Sequence, residues 1–277
     1  MAGRLAACRS SRVEAGAPDF AGRLGMRGWH AGIVASSRVS TVFVGRGAEI
    51  ETLAGAFDEA AGGTPGTVLV GAESGGGKSR LVAEFTSRVR DRALVLAGGC
   101  VDLGPAGLPY APFSAALREL IRERGLAEVA ALLPGNGPGE LARLLPELGR
   151  PAADGDPEMA RGRPFGPLLT LLEQLACERP LVLVIEDVHW ADRSTGDLLA
   201  FLVRNLRYGP VVLVVTFRSD ELDAARGLAR LLAELGRMNG VGAAARGGGR
   251  RAGCRPRWLR VPARTVPRGT AGGSAAG

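Results

Sequence analysis

Eight residues between an apolar run and a helical pattern constrain this chain more than any other feature. Thr67 to Val70 reads as a short buried strand, and Ala72-Glu-Ser-Gly75-Gly76-Gly77-Lys78-Ser79 follows it at once. Leu81, Val82, Phe85 and Val89 then recur at the spacing that lines one face of a helix. A strand, a glycine cluster and a helix opening on Lys-Ser form a phosphate-binding loop. Glycines let successive backbone N–H groups turn inward around phosphate oxygens, helped by the positive end of the helix that begins at Lys78. Lys78 would reach the β- and γ-phosphates and the Ser79 hydroxyl would ligate magnesium. Ala72 stands where the motif usually has its first glycine. Of 35 basic residues 34 are arginine, so the one lysine of the chain falls where the motif requires it.

The same residues fit a rival pattern. Ala72-Glu-Ser74-Gly-Gly76 resembles a nucleophile elbow, which also sits between strand and helix. A hydrolase of that kind needs an acid and a histidine from separate later loops. The chain offers only His30 and His189, and His189 lies two residues from Asp187. The phosphate loop is therefore the preferred reading.

A second motif lies about 110 residues on. Leu181 to Ile185 is an apolar strand that ends in Glu186-Asp187. Paired acids at the carboxyl end of a buried strand can hold the magnesium shell and orient an attacking water. Arg218, just beyond another apolar run at Val211 to Val215, could contact a γ-phosphate. An ordinary solvent-facing arginine explains its position equally well.

Between these motifs the pattern alternates. Ile50, Leu53, Ala54 and Phe57 recur at helical spacing, and Ala93 to Ala97 reads as a second buried strand. Residues 104–180 look mainly helical, with leucine-rich stretches at 112–122, 125–133, 139–148 and 167–178. Ser194 to Asp197 predicts a capping box that opens a helix through Leu199, Leu202 and Leu206. Leu222 to Leu235 predicts one more helix. Apolar strands alternating with amphipathic helices imply a parallel sheet covered on both faces.

The charge of +7 invites a nucleic-acid reading, but its distribution weakens it. Residues 1–40 carry +4 and residues 238–277 carry +8, which leaves −5 on residues 41–237. The high pI therefore belongs to the two ends. Residues 1–40 read as a flexible extension. Past Met238 periodicity ends, and 29 of the last 40 residues are Gly, Ala, Arg or Pro. That segment is expected to be a disordered tail; a basic nucleic-acid-binding arm and an out-of-frame translation are the other readings. Cysteines at 8, 100, 177 and 254 form no CxxC pair and read as free thiols in a reducing cytoplasm. No run of apolar residues is long enough to span a membrane.

Together, Phe43-Val-Gly-Arg46, the phosphate loop, Glu186-Asp-Val-His-Trp-Ala-Asp192 and Thr216-Phe-Arg-Ser-Asp-Glu-Leu222 resemble the ATPase domain of the STAND class of signal-transduction ATPases. The likeness is to the AAA-like module of large LuxR-family transcriptional regulators and of some class III adenylyl cyclases, and it covers residues 41 to about 236. It implies an α/β fold, a P-loop NTPase three-layer sandwich with a mostly parallel sheet and an inserted helical region, incomplete at the C-terminus. It also implies ATP or ADP and Mg2+ as ligands, slow hydrolysis in the service of signalling, and self-association through the ATPase domain. A nucleotide-binding remnant without turnover is the alternative. Val44, Gly45 and Arg46 match the segment that touches adenine and ribose. Ala72 and Gly75, Gly76, Gly77, Lys78 and Ser79 match the phosphate loop. Glu186 and Asp187 match the two acids, with the metal's partner open between them, and Arg218 matches the first sensor. Gly47 departs from the acid that usually follows Gly-Arg. The family's fifth strand, which would flank the P-loop strand, is not legible, nor are a lid, a winged helix or a DNA-binding domain, so the P-loop strand is expected to be an exposed apolar edge.

Overall fold

The computed structural model describes residues 45–102, 108–150 and 162–221, together with the backbone of residues 255–260. The expected extension at 1–40, the apolar triplet at 42–44 (with Val44) and the helix at 222–235 lie outside the described residues. The chain divides into two units, Met1–Gly45 and Arg46–Gly277, and every described helix and strand lies in the second.

Helix α1 (Gly47–Ala61) leads into strand β1 (Gly66–Ala72), the glycine loop and helix α2 (Lys78–Val89). Strand β2 (Leu94–Gly99) precedes the helical region: α3 (Ala111–Arg124), α4 (Leu126–Ala131), α5 (Gly137–Leu141), a 3-10 turn at Pro146–Leu148 and α6 (Phe165–Glu178). Strand β3 (Leu181–Glu186), a 3-10 turn at Val188–Trp190, helix α7 (Arg193–Asn205), strand β4 (Val211–Arg218) and a turn at Ser219–Glu221 follow. Strand β5 (Arg255–Arg260) is the last described element.

The strands form one sheet in the order β2-β3-β4-β1-β5, and every pair in it is parallel. Successive side chains of a strand point to opposite faces, and both faces here are apolar. Leu183, Ile185, Leu213, Val215 and Leu69 pack into one core with residues of α3, α6 and α7, such as Phe113, Leu171 and Leu199. The alternate residues Val68, Val70, Val182, Val184, Val212 and Val214 are equally buried outside that core, and α1 packs on β1 and β4. The result is a three-layer α/β sandwich, and the interior strands β1, β3 and β4 are therefore buried along nearly their whole length.

Three local readings are corrected. The expected helix across 139–148 is only α5 plus a 3-10 turn, because Pro146 has no N–H to give a continuing helix. Helix α7 is capped by Asp192 rather than by Ser194: the Asp192 carboxylate accepts from the N–H groups of Ser194 at 2.8 Å and Thr195 at 3.2 Å. A charged acceptor at the positive helix end outcompetes a hydroxyl two residues inside the helix.

The third correction concerns the tail and the C-terminal edge of the sheet. Residues 255–260, placed by their composition in a disordered segment, pair with β1 from Gly66↔Arg255 to Gly71↔Arg260. The fifth strand is therefore present and β1 is an interior strand. Strand formation depends on the surface offered as much as on intrinsic preference. The unpaired N–H and C=O groups along β1 would template any chain able to extend beside them. Pro256 is admissible because β5 is an edge strand.

Candidate functional site

Parallel strands bring their carboxyl ends to one side of the sheet, where open α/β folds bind ligands. Ala72 ends β1, Glu186 ends β3 and Arg218 ends β4. Ala72 and Arg218 are direct register partners, so the first residue of the glycine loop lies beside the candidate sensor arginine.

The loop has the backbone that cradling requires. Gly75 and Gly77 have φ of +68° and +77°, values that side chains resist. Gly77 caps α2, and Lys78 and Ser79 open it. The Ala72 departure is accommodated sterically, because its methyl group occupies space that a Cβ on residue 76 would contest at 2.8 Å. Arg46 reaches the loop from the start of α1. Its guanidinium donates to the carbonyls of Gly76 and, at 3.5 Å, Gly77, so it braces the outer side of the cradle. The structure thus ties Arg46 to the loop backbone, a contact the motif did not foretell.

Lys78 is 8% exposed, and its ammonium donates to the carbonyls of Ala72 at 3.3 Å and Glu73 at 3.5 Å. Burial holds its pKa below the ordinary lysine value, against the pull of Asp187. Glu186 is 3% exposed. Burial, followed by repulsion from Asp187, pushes its carboxyl up to about 7, opposed by a hydrogen bond with Ser79 and by Lys78. Its Oε1 is buried and has no hydrogen-bond partner. Asp187 adopts a left-handed conformation, with φ of 55°, and its N–H donates to Thr216 Oγ1 at 3.0 Å. Strain of this kind at a non-glycine residue persists where the surroundings over-determine it, commonly at functional sites.

Ser79, Glu186 and Asp187 supply hard oxygen donors, and the orphaned Glu186 oxygen is a lone pair that a cation could take. Among the described residues no three His, Cys, Asp or Glu side chains form a self-sufficient metal cage. Magnesium is usually held by one or two protein oxygens together with water and substrate phosphates.

Two further residues belong here that sequence reasoning did not assign to the site. Glu221 pairs with Arg218, and His189 lies between acids, with Nδ1 3.9 Å from Asp187 and Nε2 3.8 Å from Glu221. Neither ring nitrogen has a hydrogen-bond partner. A nucleophile elbow needs a histidine bonded to its serine, so His189 does not serve Ser74 in this arrangement. The i, i+3 spacing of Arg218 and Glu221 was the available signal for their pairing.

Residues 42–215 match the family described as AAA ATPase domain. The chain belongs to that family. An AAA ATPase domain carries nucleotide binding, typically with magnesium, on a P-loop α/β fold. An uncharacterized protein of Rhizobium meliloti (strain 1021) is 30% identical over 214 residues, which is 69% of this chain. The chain spans about a fifth of that relative's length (20%). Solved structures similar to this AAA ATPase domain include Drosophila ORC bound to DNA, with TM-score 0.38 and 12% identity over 81% of this chain and 97% of that one. Another is an ATPase with TM-score 0.29 and 14% identity over 64% of each chain. No helix among the described residues is long and apolar enough to cross a membrane.

Proposed function

We propose that this AAA ATPase domain binds ATP with magnesium at the carboxyl ends of β1, β3 and β4, and hydrolyses it slowly as a signalling switch. The observation that carries the reading is Glu186: one side of its carboxylate bonds Ser79, and Oε1 is buried without a partner beside the loop. Burying a carboxylate with an unsatisfied oxygen is unfavourable unless a ligand completes it.

In this reading the loop N–H groups and Lys78 hold the phosphates, and Arg46 keeps the loop in shape. Ser79 and Glu186 would hold the metal, which supplies charge neutralisation at the phosphates when bound. Asp187 would orient water, and Arg218, the register partner of Ala72, would meet a terminal phosphate. Arg46 would also lie beside base and sugar. The finer identity, a STAND-class module of a LuxR-type transcriptional regulator, is supported by Glu186 to Asp192 and by Thr216 to Leu222. In such a module nucleotide state would control self-association, and the output would pass to other domains.

Calorimetric titration with ATP and ADP, with and without magnesium, followed by a phosphate-release assay, tests the proposal. Micromolar binding that depends on magnesium for ATP and slow phosphate release are expected. Glu186→Gln and Asp187→Asn should spare magnesium-free ADP binding and reduce turnover. Binding without any release would favour the remnant reading, and no binding at all would refute the assignment.

A further inference from the structure

The end of β4 holds an ion pair to which nucleotide binding has so far given no role. Arg218 Nη1 lies 2.5 Å from Glu221 Oε1, while Asp220 Oδ2 is 3.8 Å from Nη2. Arg218 Nε is buried without a hydrogen-bond partner, so the guanidinium spends its close contact on Glu221. The second Glu221 oxygen faces His189 Nε2 at 3.8 Å, too far for a hydrogen bond and near enough that a small side-chain movement would make one. The His189 side chain is fully buried. A buried ring with two unbonded nitrogens is unusual, because such groups normally find partners.

We propose that Glu221 competes with the terminal phosphate of ATP for Arg218, and that His189 receives Glu221 when Arg218 is released. The inference rests on the proposed nucleotide site and assigns that site its discrimination between ATP and ADP.

The physical logic is competition between two anions for one cation. Arg218 stands beside Ala72 in the sheet, within reach of the loop that would hold the phosphates. A γ-phosphate offers the guanidinium stronger charge-assisted bonds than a carboxylate, but only after the existing pair opens. ADP lacks that phosphate and leaves the pair closed. Opening leaves the partly exposed Glu221 carboxylate with water on one side only, and His189 Nε2 is the donor placed on its buried side. The pair thus lowers ATP affinity without bearing on ADP, and His189 limits the loss. The state of the Ser219–Glu221 turn then reports which nucleotide is bound.

The full 277-residue chain, with magnesium, is titrated with a non-hydrolysable ATP analogue and with ADP, and the affinity ratio is read. Glu221→Gln should raise the ratio for the analogue over ADP about tenfold, the size of one charge-assisted bond. Glu221→Ala should act in the same direction. Arg218→Ala should lower the ratio and abolish the effect of Glu221→Gln in the double variant. His189→Leu should lower the ratio in the presence of Glu221 and have no effect in the Glu221→Gln background. His189→Gln, which keeps a donor, should restore the wild-type ratio. A wild-type protein that binds both nucleotides, with a ratio unmoved beyond about twofold in both Glu221 variants, overturns the latch alone. Additive effects of Arg218→Ala and Glu221→Gln would also overturn it. A wild-type protein that binds neither nucleotide overturns the nucleotide site and this inference together.

Discussion

A methyl group built on Gly98 would lie 1.8 Å from the carbonyl oxygen of Pro112 and 2.6 Å from its carbon. Strand β2 and the first turn of α3 therefore meet backbone to backbone. No side chain can swing aside to relieve a substitution there. Gly98→Ala should lower stability by roughly 3 kcal/mol or more, the range of severe overpacking. Gly99→Ala is the matched control, since its Cβ would meet only the Glu186 Cβ at 4.0 Å. Urea midpoints measure both, and equal losses would show that the close approach is not limiting.

Lys78→Ala should abolish ATP binding or weaken it at least about tenfold, because no other ammonium lies at the loop and an arginine cannot copy its compact charge. The substitution also removes a buried cation, so the fold should survive it. Near-unchanged affinity in a folded variant would show that the loop does not bind phosphate through this residue.

The pH dependence follows from Glu186, whose folded pKa is raised from its ordinary 4.5 to about 7. Between those values the folded state binds more proton than the unfolded state, so stability falls as pH rises through that window. Without magnesium, this group should cost on the order of 3 kcal/mol between about pH 4 and pH 8. Glu186→Gln should flatten that slope in thermal melts. A variant with the wild-type slope would place the titration elsewhere.

Strand β5 covers the outer edge of β1, so removing residues 238–277 should expose that edge. The truncated chain is expected to melt at lower temperature and to aggregate, as seen by light scattering. A truncated chain that stays monomeric with an unchanged Tm would mean that β5 contributes nothing to the sheet.

Burial, with Asp187 and Asp192 nearby, pushes the Cys100 thiol up to about 12. Its N–H donates to the Glu186 carbonyl at 2.9 Å, which ties the end of β2 to the end of β3. In the folded protein Cys100 should resist alkylation at about pH 8 and react only on unfolding. Peptide mapping after iodoacetamide treatment checks this; rapid native labelling would mean that this corner opens.

The sequence by itself determined β1 to β4, the phosphate loop, α2, and the two acids at the end of β3. Each rests on information carried locally: the period of apolar residues, the φ freedom of Gly75 and Gly77, and a lysine at one set spacing. Only the tertiary structure decided the rest. Six residues whose composition predicts no strand become β5, because the edge of β1 supplies the bonds that they lack on their own. Arg46 braces a loop 30 residues away in sequence, and Arg218 pairs with Glu221 rather than standing in solvent. Asp192 takes the cap that Ser194 was expected to hold. Backbone partners, caps and ion pairs are decided by which groups the folded sheet brings within hydrogen-bond distance, and no periodicity along the chain encodes that distance.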